Sequence, residues 1–177
     1  MEPEDLEEIR PVAVELMKFF SRGGTLSMMM GLTGQEQEQL YEFAHRLYGQ
    51  AKYGEAEQVF SLLTTANHMD RRFSLGAAAC AHMQRHHADA AGYYGVAMML
   101  DMSDPEPPIY MAENLLAMGD REKARHVLDH GLQQAQQHAR HQAHVPRLKA
   151  LLALLDAASG PPADSPTPSP VPSKEPT

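Results

Sequence analysis

Histidine is the residue type in this sequence best suited to hold a metal ion, because the chain has ten histidines and one cysteine. Seven of them recur at helical spacing, in two i, i+4 pairs and one i, i+3 series: His82 with His86, His126 with His130, and His138 with His141 and His144. Such spacing places imidazoles on one helix face, where they could share an ion. No acidic residue completes a His-Glu-x-x-His motif. We therefore predict surface histidines, with no metal site and no cofactor.

Nucleophilic chemistry and phosphate binding find equally little support in the sequence. Cys80 lies among alanines, a setting typical of a small buried hydrophobic residue. Gly23, Gly24 and Gly31 lack the lysine and the preceding strand of a phosphate-binding loop. The sequence also has no Gly-x-Ser-x-Gly elbow. We predict no catalytic residues and no enzymatic activity.

The charge balance argues against two classes of partner. The 177 residues include 15 Lys and Arg against 23 Asp and Glu, a net charge of −8. An acidic chain without a basic cluster is poorly suited to bind nucleic acid or an anionic membrane surface. No apolar run approaches the roughly 18 residues of a membrane span, and residues 1–5 are acidic where a secretory signal is basic. With a single cysteine, which forms no internal disulfide, the chain is expected in the cytoplasm.

Small residues recur along the chain with a period of 34, in two sets: Ala44, Ala78 and Ala112, and Ala56, Ala90 and Ala124. Four positions after each member of the second set comes a large residue: Phe60, Tyr94 and Leu128. A small side chain lets two antiparallel helices approach closely, and the large residue one turn later fills the space beside the next repeat. This is the period and the pattern of the tetratricopeptide repeat.

The fold predicted from this pattern is all-α, with three tandem tetratricopeptide-like hairpins between residues 33 and 135 stacked as a right-handed α-solenoid. Thr33 followed by Glu36 has the sequence of a capping box, which begins the first repeat. Pro105, Pro107 and Pro108 begin the third repeat, since proline is tolerated in a first helical turn. Gly49, Gly54 and Gly119 are expected to mark or flank the turns between helices.

Composition and helix-breaking residues predict that the chain is divided into three segments. Residues 1–32 are expected to form an N-terminal helical region, with an amphipathic helix over 4–20 that could bend at Pro11 and a short helix from Thr25 to Met30. Residues 33–158 form the repeat domain, closed by a capping helix that begins at Pro146, as solenoids require. Residues 159–177 are a Pro/Ser-rich tail whose composition predicts disorder.

Several local strings go beyond a generic repeat array. They are residues 19–26 (FFSRGGTL), 39–41 (QLY), 48 and 52–56 (Y and KYGEA), 70–76 (DRRFSLG), 104–108 (DPEPP) and 112–116 (AENLL). In this order and spacing they resemble the class II chaperones of bacterial type III secretion systems, which escort two hydrophobic translocator proteins. The resemblance covers roughly residues 10–135.

The resemblance implies a helical stack whose concave face holds an extended segment from near the N-terminus of a translocator before secretion. In this family the first helix of each repeat lines that face. The residues expected to bind the peptide are Tyr41, His45, Tyr48, Tyr53, Leu75, Ala79, His82, Met83, Ile109, Glu113 and Leu116. The three tyrosines coincide with tyrosines typical of the family. His45 stands where the family often has phenylalanine, which predicts a more polar pocket.

Self-association is a further implication, because members of this family often pair through their N-terminal helices. The residues expected at a homodimer interface are Leu16, Phe19, Leu26 and Met28. Packing of the same residues on the first repeat is an equally good interpretation of the sequence.

Two other functions stay open at this point. Many tetratricopeptide modules are adaptors that clamp a partner's C-terminal carboxylate with cationic and amide side chains. By register, those positions here are Tyr41, His45, Gly76, Glu106 and Tyr110. These residues supply no suitable cation for a carboxylate clamp. The alternative that stays open is therefore an adaptor or scaffold that binds a neutral peptide motif. Some members of the chaperone family also assist a transcription activator, and a role as co-regulator is the other alternative.

Overall fold

The computed structural model describes residues 14–157, and every regular element in that range is helical. Residues 14–21 form α1. The following helices are α2 (Leu26–Met30), α3 (Gly34–Gly49), α4 (Tyr53–Ala66), α5 (Arg71–Met83), α6 (His87–Leu100), α7 (Glu106–Ala117), α8 (Arg121–Gln137) and α9 (Val145–Ala157), with a 3₁₀ helix, Ala139–His144, before α9. The predicted all-α class is confirmed for these residues. The expectations for residues 1–13, including Pro11, and for the Pro/Ser-rich residues 158–177 lie outside the described range.

The helices from α3 onward pack in chain order. Each contacts the next, from α3 with α4 through to α8 with α9, and α3 also contacts α5. Turns of three residues join α3 to α4, α5 to α6 and α7 to α8, which makes each of these pairs a hairpin. Buried apolar residues accordingly form three clusters along the stack rather than one central core.

The alanines with the 34-residue period lie in the interior of the helical stack. All six are completely buried: Ala44, Ala56, Ala78, Ala90, Ala112 and Ala124. The large residues that follow the second set are buried as well, since Phe60, Tyr94 and Leu128 are exposed by 1%, 5% and 0%. The period therefore predicted the packing contacts of the stack correctly.

The turn inside each hairpin contains one residue in the left-handed conformation, again with a period of 34. The three residues are Ala51 (φ +59°), Arg85 (φ +63°) and Gly119 (φ +82°). The amide that follows each of them closes the preceding helix, as when His86 N donates to the Ala81 carbonyl at 2.9 Å. This six-to-one hydrogen bond defines a Schellman motif. Gly49 and Gly54 flank the first turn, as predicted, but the left-handed residue there is Ala51.

Helix starts agree with the capping signals in the sequence. Thr33 Oγ1 accepts from the Glu36 amide at 3.2 Å, and the Glu36 carboxylate accepts from the Thr33 amide at 2.8 Å, which completes the capping box. Prolines stand in the first turn of α7. Helix α9 begins at Val145, one residue before the predicted start at Pro146, and the 3₁₀ helix that precedes it was not predicted.

The residues predicted for a homodimer interface differ in exposure. Leu16, Phe19 and Leu26 are half-buried, whereas Met28 is 65% exposed. Part of this burial comes from the N-terminal region itself, because a Cβ on Gly24 would lie 2.4 Å from the ring of Phe19. Glycine at position 24 thus lets Phe19 fold back onto the loop that follows α1.

Candidate peptide-binding groove

The predicted helical pair of His82 and His86 does not form. Helix α5 ends at Met83, and the left-handed Arg85 then reverses the chain, so the two histidines lie on different elements. The i, i+4 geometry requires an uninterrupted helix, which the turn removes.

The other spaced histidines differ in exposure: His126 and His138 are exposed, whereas His130 is half-buried and its Nδ1 is a buried atom without a hydrogen-bond partner in residues 14–157. His126 and His130 share α8, with His126 exposed. His138 directly precedes the 3₁₀ helix, and His141 and His144 lie within it. Their successive ring centroids are 6.0 and 6.2 Å apart.

One group within residues 14–157 brings three potential metal ligands within 4.8 Å of one another, namely Glu57, His86 and Asp89. Two of the three are exposed, and Gln84 donates a 2.6 Å hydrogen bond to Glu57. The carboxylate of Glu57 is therefore already used within the protein.

Cys80 is a core residue, as predicted. It is completely buried on α5, and this burial raises the pKa of its thiol to about 12. Because the thiolate is the reactive form of cysteine, the thiol is inert at neutral pH.

A pocket of about 230 Å³ lies between α3 and α5, over the ring of Phe60. We call it the first pocket. It is lined by Tyr41, His45, Tyr48, Phe60, Arg72, Leu75, Gly76 and Ala79. The rings of Tyr41 and Phe60 meet edge to face at 5.8 Å, and His45 contacts both of them. Burial raises the pKa of Tyr41 and of Tyr48, so both phenols stay protonated at neutral pH. The walls are mainly aromatic and aliphatic.

Arg72 is the cation of the first pocket, and two carboxylates neutralise it. Its guanidinium pairs with Asp70 at 2.8 Å and with Glu38 at 3.0 Å. The guanidinium carbon lies 4.8 Å from the centroid of the Tyr41 ring, within range of a cation–π interaction. Sequence reasoning did not include Arg72 in the site. Because its charge is balanced inside the protein, Arg72 is poorly placed to clamp a partner's carboxylate.

A second pocket, of about 430 Å³, adjoins the first. It is lined by Tyr48, Leu75, Ala79, His82, Met83, Tyr94, Glu106, Pro107 and Tyr110. Tyr48, Leu75 and Ala79 line both pockets. The rings of Tyr94 and Tyr110 stack at 5.5 Å with an angle of 18° between them. We refer to the two pockets together as the groove.

Helix α9 contacts the groove through Arg147, which lies against Tyr110 of the second pocket. Arg147 donates a 2.6 Å hydrogen bond to the Glu113 carboxylate, and its guanidinium carbon lies 4.9 Å from the Tyr110 ring centroid. The last helix therefore holds a residue of the groove in place as well as packing on the final hairpin.

Seven of the eleven residues predicted to bind peptide line the groove: Tyr41, His45, Tyr48, Leu75, Ala79, His82 and Met83. Tyr53 does not line it but contacts the ring of Tyr48, at 5.2 Å between centroids. Glu113 is paired with Arg147.

Ile109 corrects the prediction for the third repeat. Ile109 is 1% exposed, in one cluster with Leu148 of α9, and Leu116 packs against that cluster. Ile109 was expected to face solvent and does not, whereas Leu116 is half-buried and its role in peptide binding stays a prediction. The same cluster includes Leu148 of the capping helix, and the neighbouring residue Tyr110 lines the groove from α7.

Sequence reasoning also missed the groove residues that come from second helices, Phe60 and Tyr94. The sequence did mark both positions, because each carries the large residue that comes four positions after an alanine of the 34-residue period. We had assigned these large residues to packing alone. Gly76, Glu106 and Tyr110 had been placed on the concave helices by register and do line the groove.

Among the helices of residues 14–157, none has both the length and the apolar character that crossing a bilayer requires.

Comparison with known proteins gives a consistent result at three levels. Residues 81–155 match the tetratricopeptide repeat family. The chain is 34% identical over 106 residues to low calcium response locus protein H of Yersinia pestis, a match that covers 60% of this chain and 63% of that protein. The chain thus spans less than two thirds of the length of this curated relative.

Solved structures share the fold more completely. A type III secretion system complex from Aeromonas hydrophila superimposes with a TM-score of 0.77 at 26% identity, over 84% of this chain and 99% of that one. PcrH of Pseudomonas aeruginosa, crystallised with the chaperone-binding region of PopD, gives a TM-score of 0.67 at 28% identity, over 72% of this chain and 96% of that one.

The predicted resemblance to the type III secretion translocator chaperones is confirmed. The shared fold extends over 84% of this chain in the Aeromonas hydrophila complex and over 72% in PcrH. The match to the tetratricopeptide repeat family begins only at Ala81, so the repeat character of residues 33–80 rests on the buried alanines and the turn geometry.

Proposed function

We propose that this chain is a chaperone of a bacterial type III secretion system, which binds an extended segment of a hydrophobic translocator in its groove and keeps that client soluble in the bacterial cytoplasm before secretion. The observation that carries the proposal is the pair of adjoining aromatic pockets on a fold shared with PcrH, a protein crystallised with the chaperone-binding region of a partner.

The chemistry of the groove suits an extended apolar segment. Aromatic walls recognise proline-rich or apolar extended peptides, which lose little conformational entropy when they dock. The charge of Arg72 is already balanced by Asp70 and Glu38, so the first pocket favours a neutral side chain. Binding and release of such a segment need no catalytic group and no cofactor, and we propose neither for this chain.

The proposed client contacts are the groove residues that α3 and α5 contribute, with Tyr94 and Tyr110 closing the second pocket. Tyr53 supports the ring of Tyr48, and Glu113 supports Tyr110 through Arg147. We assign the binding domain to residues 33–158 and a separate N-terminal region to residues 1–32, with residues 159–177 outside the binding domain.

Homodimer formation is proposed through the N-terminal region, with Leu16, Phe19, Leu26 and Met28 at the interface. The support is the exposure of apolar side chains in this region, where Met28, Met29 and Met30 are exposed by 65%, 51% and 71%. Adjacent exposed methionines form an adaptable apolar surface.

Co-expression with the hydrophobic translocators of the same secretion system, followed by co-purification, tests the proposal. We expect at least one translocator to remain soluble only when this chain is present, and its N-terminal segment to bind one to one. Failure of every translocator to co-purify would contradict the proposal and favour an adaptor for a neutral motif. A pull-down that instead recovers a transcription activator would favour the co-regulator.

A further inference from the structure

The side chain of Asn114 connects two histidines inside the helical stack. Asn114 lies on α7 and is completely buried. Its amide lies 2.9 Å from Nδ1 of His82 on α5, 2.9 Å from Nδ1 of His87 at the start of α6, and 2.8 Å from the carbonyl oxygen of Tyr110. One buried amide therefore joins three helices by hydrogen bonds.

The Tyr110 carbonyl determines which way this amide points. A carbonyl oxygen can only accept a hydrogen bond, so the group 2.8 Å away must be the NH₂ of Asn114. The reverse orientation would place two acceptor oxygens in contact. The same NH₂ faces His82, and the amide oxygen faces His87.

This orientation assigns a tautomer to each histidine. Because the Asn114 NH₂ donates to His82 Nδ1, that nitrogen is an acceptor, and a neutral His82 ring carries its proton on Nε2. His87 must donate from Nδ1 to the amide oxygen, so the two rings have opposite tautomers.

The ring of His82 lines the second pocket, and because its Nδ1 is bound to the buried amide, the opposite Nε2 edge is the one left for the pocket. The half-buried ring lies beside Tyr110, at 6.1 Å between ring centroids. Glu106 lines the same pocket and makes it unfavourable for an anionic acceptor. The pocket thus offers a directed N–H to a neutral acceptor.

Building on the proposed function, we infer that His82 is a hydrogen-bond donor of the groove to the client main chain, which donates its Nε2–H to a main-chain carbonyl of the bound segment. An extended segment leaves its main-chain carbonyls free of internal hydrogen bonds, so a carbonyl is available at this position. Asn114 is a positioning residue, since it acts by fixing the tautomer of His82.

The tautomers can be measured without a client, by nitrogen-15 NMR of the labelled full chain. We expect His82 protonated on Nε2 and His87 on Nδ1 at slightly alkaline pH. In Asn114→Leu, if folded, His82 should lose this preference. In His87→Gln, whose side-chain amide can still donate to Asn114, His82 should keep it. A wild-type His82 protonated on Nδ1 would overturn the inference.

Binding tests the donor itself, with a fluorescently labelled synthetic peptide that covers the N-terminal segment of the co-purifying translocator. His82→Phe keeps a ring beside Tyr110 but removes the N–H, and we expect it to weaken binding roughly fivefold. His87→Gln, the matched control, should stay within about twofold. If folded His82→Phe binds as tightly as wild type, the inference fails while the proposed function stands. If wild type binds no translocator segment, the proposed function fails and the donor role fails with it.

Discussion

Arg72 lies over the ring of Tyr41, with its guanidinium carbon 4.8 Å from the ring centroid, while Asp70 and Glu38 bind the same guanidinium. This arrangement holds Tyr41 as a fixed wall of the first pocket and balances the charge before any client arrives. The pocket therefore offers a preorganised aromatic surface, and preorganisation lowers the entropic cost of binding.

Truncation of the aromatic walls should weaken client binding. We expect Tyr41→Ala and Tyr48→Ala each to reduce affinity for the translocator segment about thirtyfold, or by about 2 kcal/mol, because each removes a buried aromatic contact. Calorimetry on variants shown to be folded measures this. Glu42→Ala, an exposed change on the same helix, should bind like wild type. Glu38 is unsuitable as a control, since it pairs with Arg72. Unchanged affinity in both folded tyrosine variants would exclude the groove as the site.

Substitutions at the left-handed turn residues should change the free energy of unfolding in opposite directions. Arg85→Gly should increase the free energy of unfolding by about 1 kcal/mol, since glycine adopts positive φ without steric cost. Gly119→Ala, at the equivalent position of the third hairpin, should decrease it by a similar amount. Urea unfolding measures both. A less stable Arg85→Gly would show that the arginine side chain contributes more than the backbone costs.

A larger side chain in place of one of the alanines with the 34-residue period should destabilise the helical stack. Ala90 is completely buried where helices meet, so Ala90→Leu is expected to lower the free energy of unfolding by about 1–3 kcal/mol. Ala88→Leu places the same side chain at an exposed position near the start of the same helix and should change stability by less than about 0.5 kcal/mol. Equal stability of the two variants in thermal melts would contradict the assignment of Ala90 to a helix contact.

Acidification should lower the stability of the folded protein by protonating Asp70, which pairs with Arg72 of the first pocket. Hydrogen bonds from Arg72 hold the pKa of this carboxyl below its usual value. A carboxylate that is more acidic in the folded state contributes stability above its unfolded pKa, about 3.9, and loses it as the pH falls through the folded pKa. Wild type should therefore lose more stability than Asp70→Asn between about pH 5 and about pH 3. Asparagine can still cap α5, so the comparison isolates the charge. Equal losses in urea titrations would contradict this coupling.

The repeat architecture could be predicted from the sequence because it depends on side-chain size at regular positions. Ala44, Ala90 and their equivalents are small for a reason that spacing reveals, namely close helix contact. The turns were harder to read, since Ala51 and Arg85 adopt a conformation typical of glycine without being glycine. The Schellman hydrogen bonds accompany the left-handed conformation there, and the residue types give no sign of it.

The groove could be predicted only in part, for two physical reasons. The family resemblance indicated which face of α3 and α5 the predicted residues occupy, and seven of these residues line the groove. It does not indicate what covers that face, and Ile109 is buried in a cluster that includes Leu148 of α9. Residue spacing also does not indicate the direction of a long side chain. The contact between the Arg72 guanidinium and the Tyr41 ring could therefore not be predicted from the sequence.

Tyr48, Leu75 and Ala79 form a wall that the two pockets have in common. A side chain that moves this wall while seated in the first pocket also alters the shape of the second. The two client positions are then not read independently, and their contributions to affinity should not add. Sequences selected from a randomised peptide library should accordingly show covariation between the two positions, with a bulky residue at one accompanied by a smaller residue at the other.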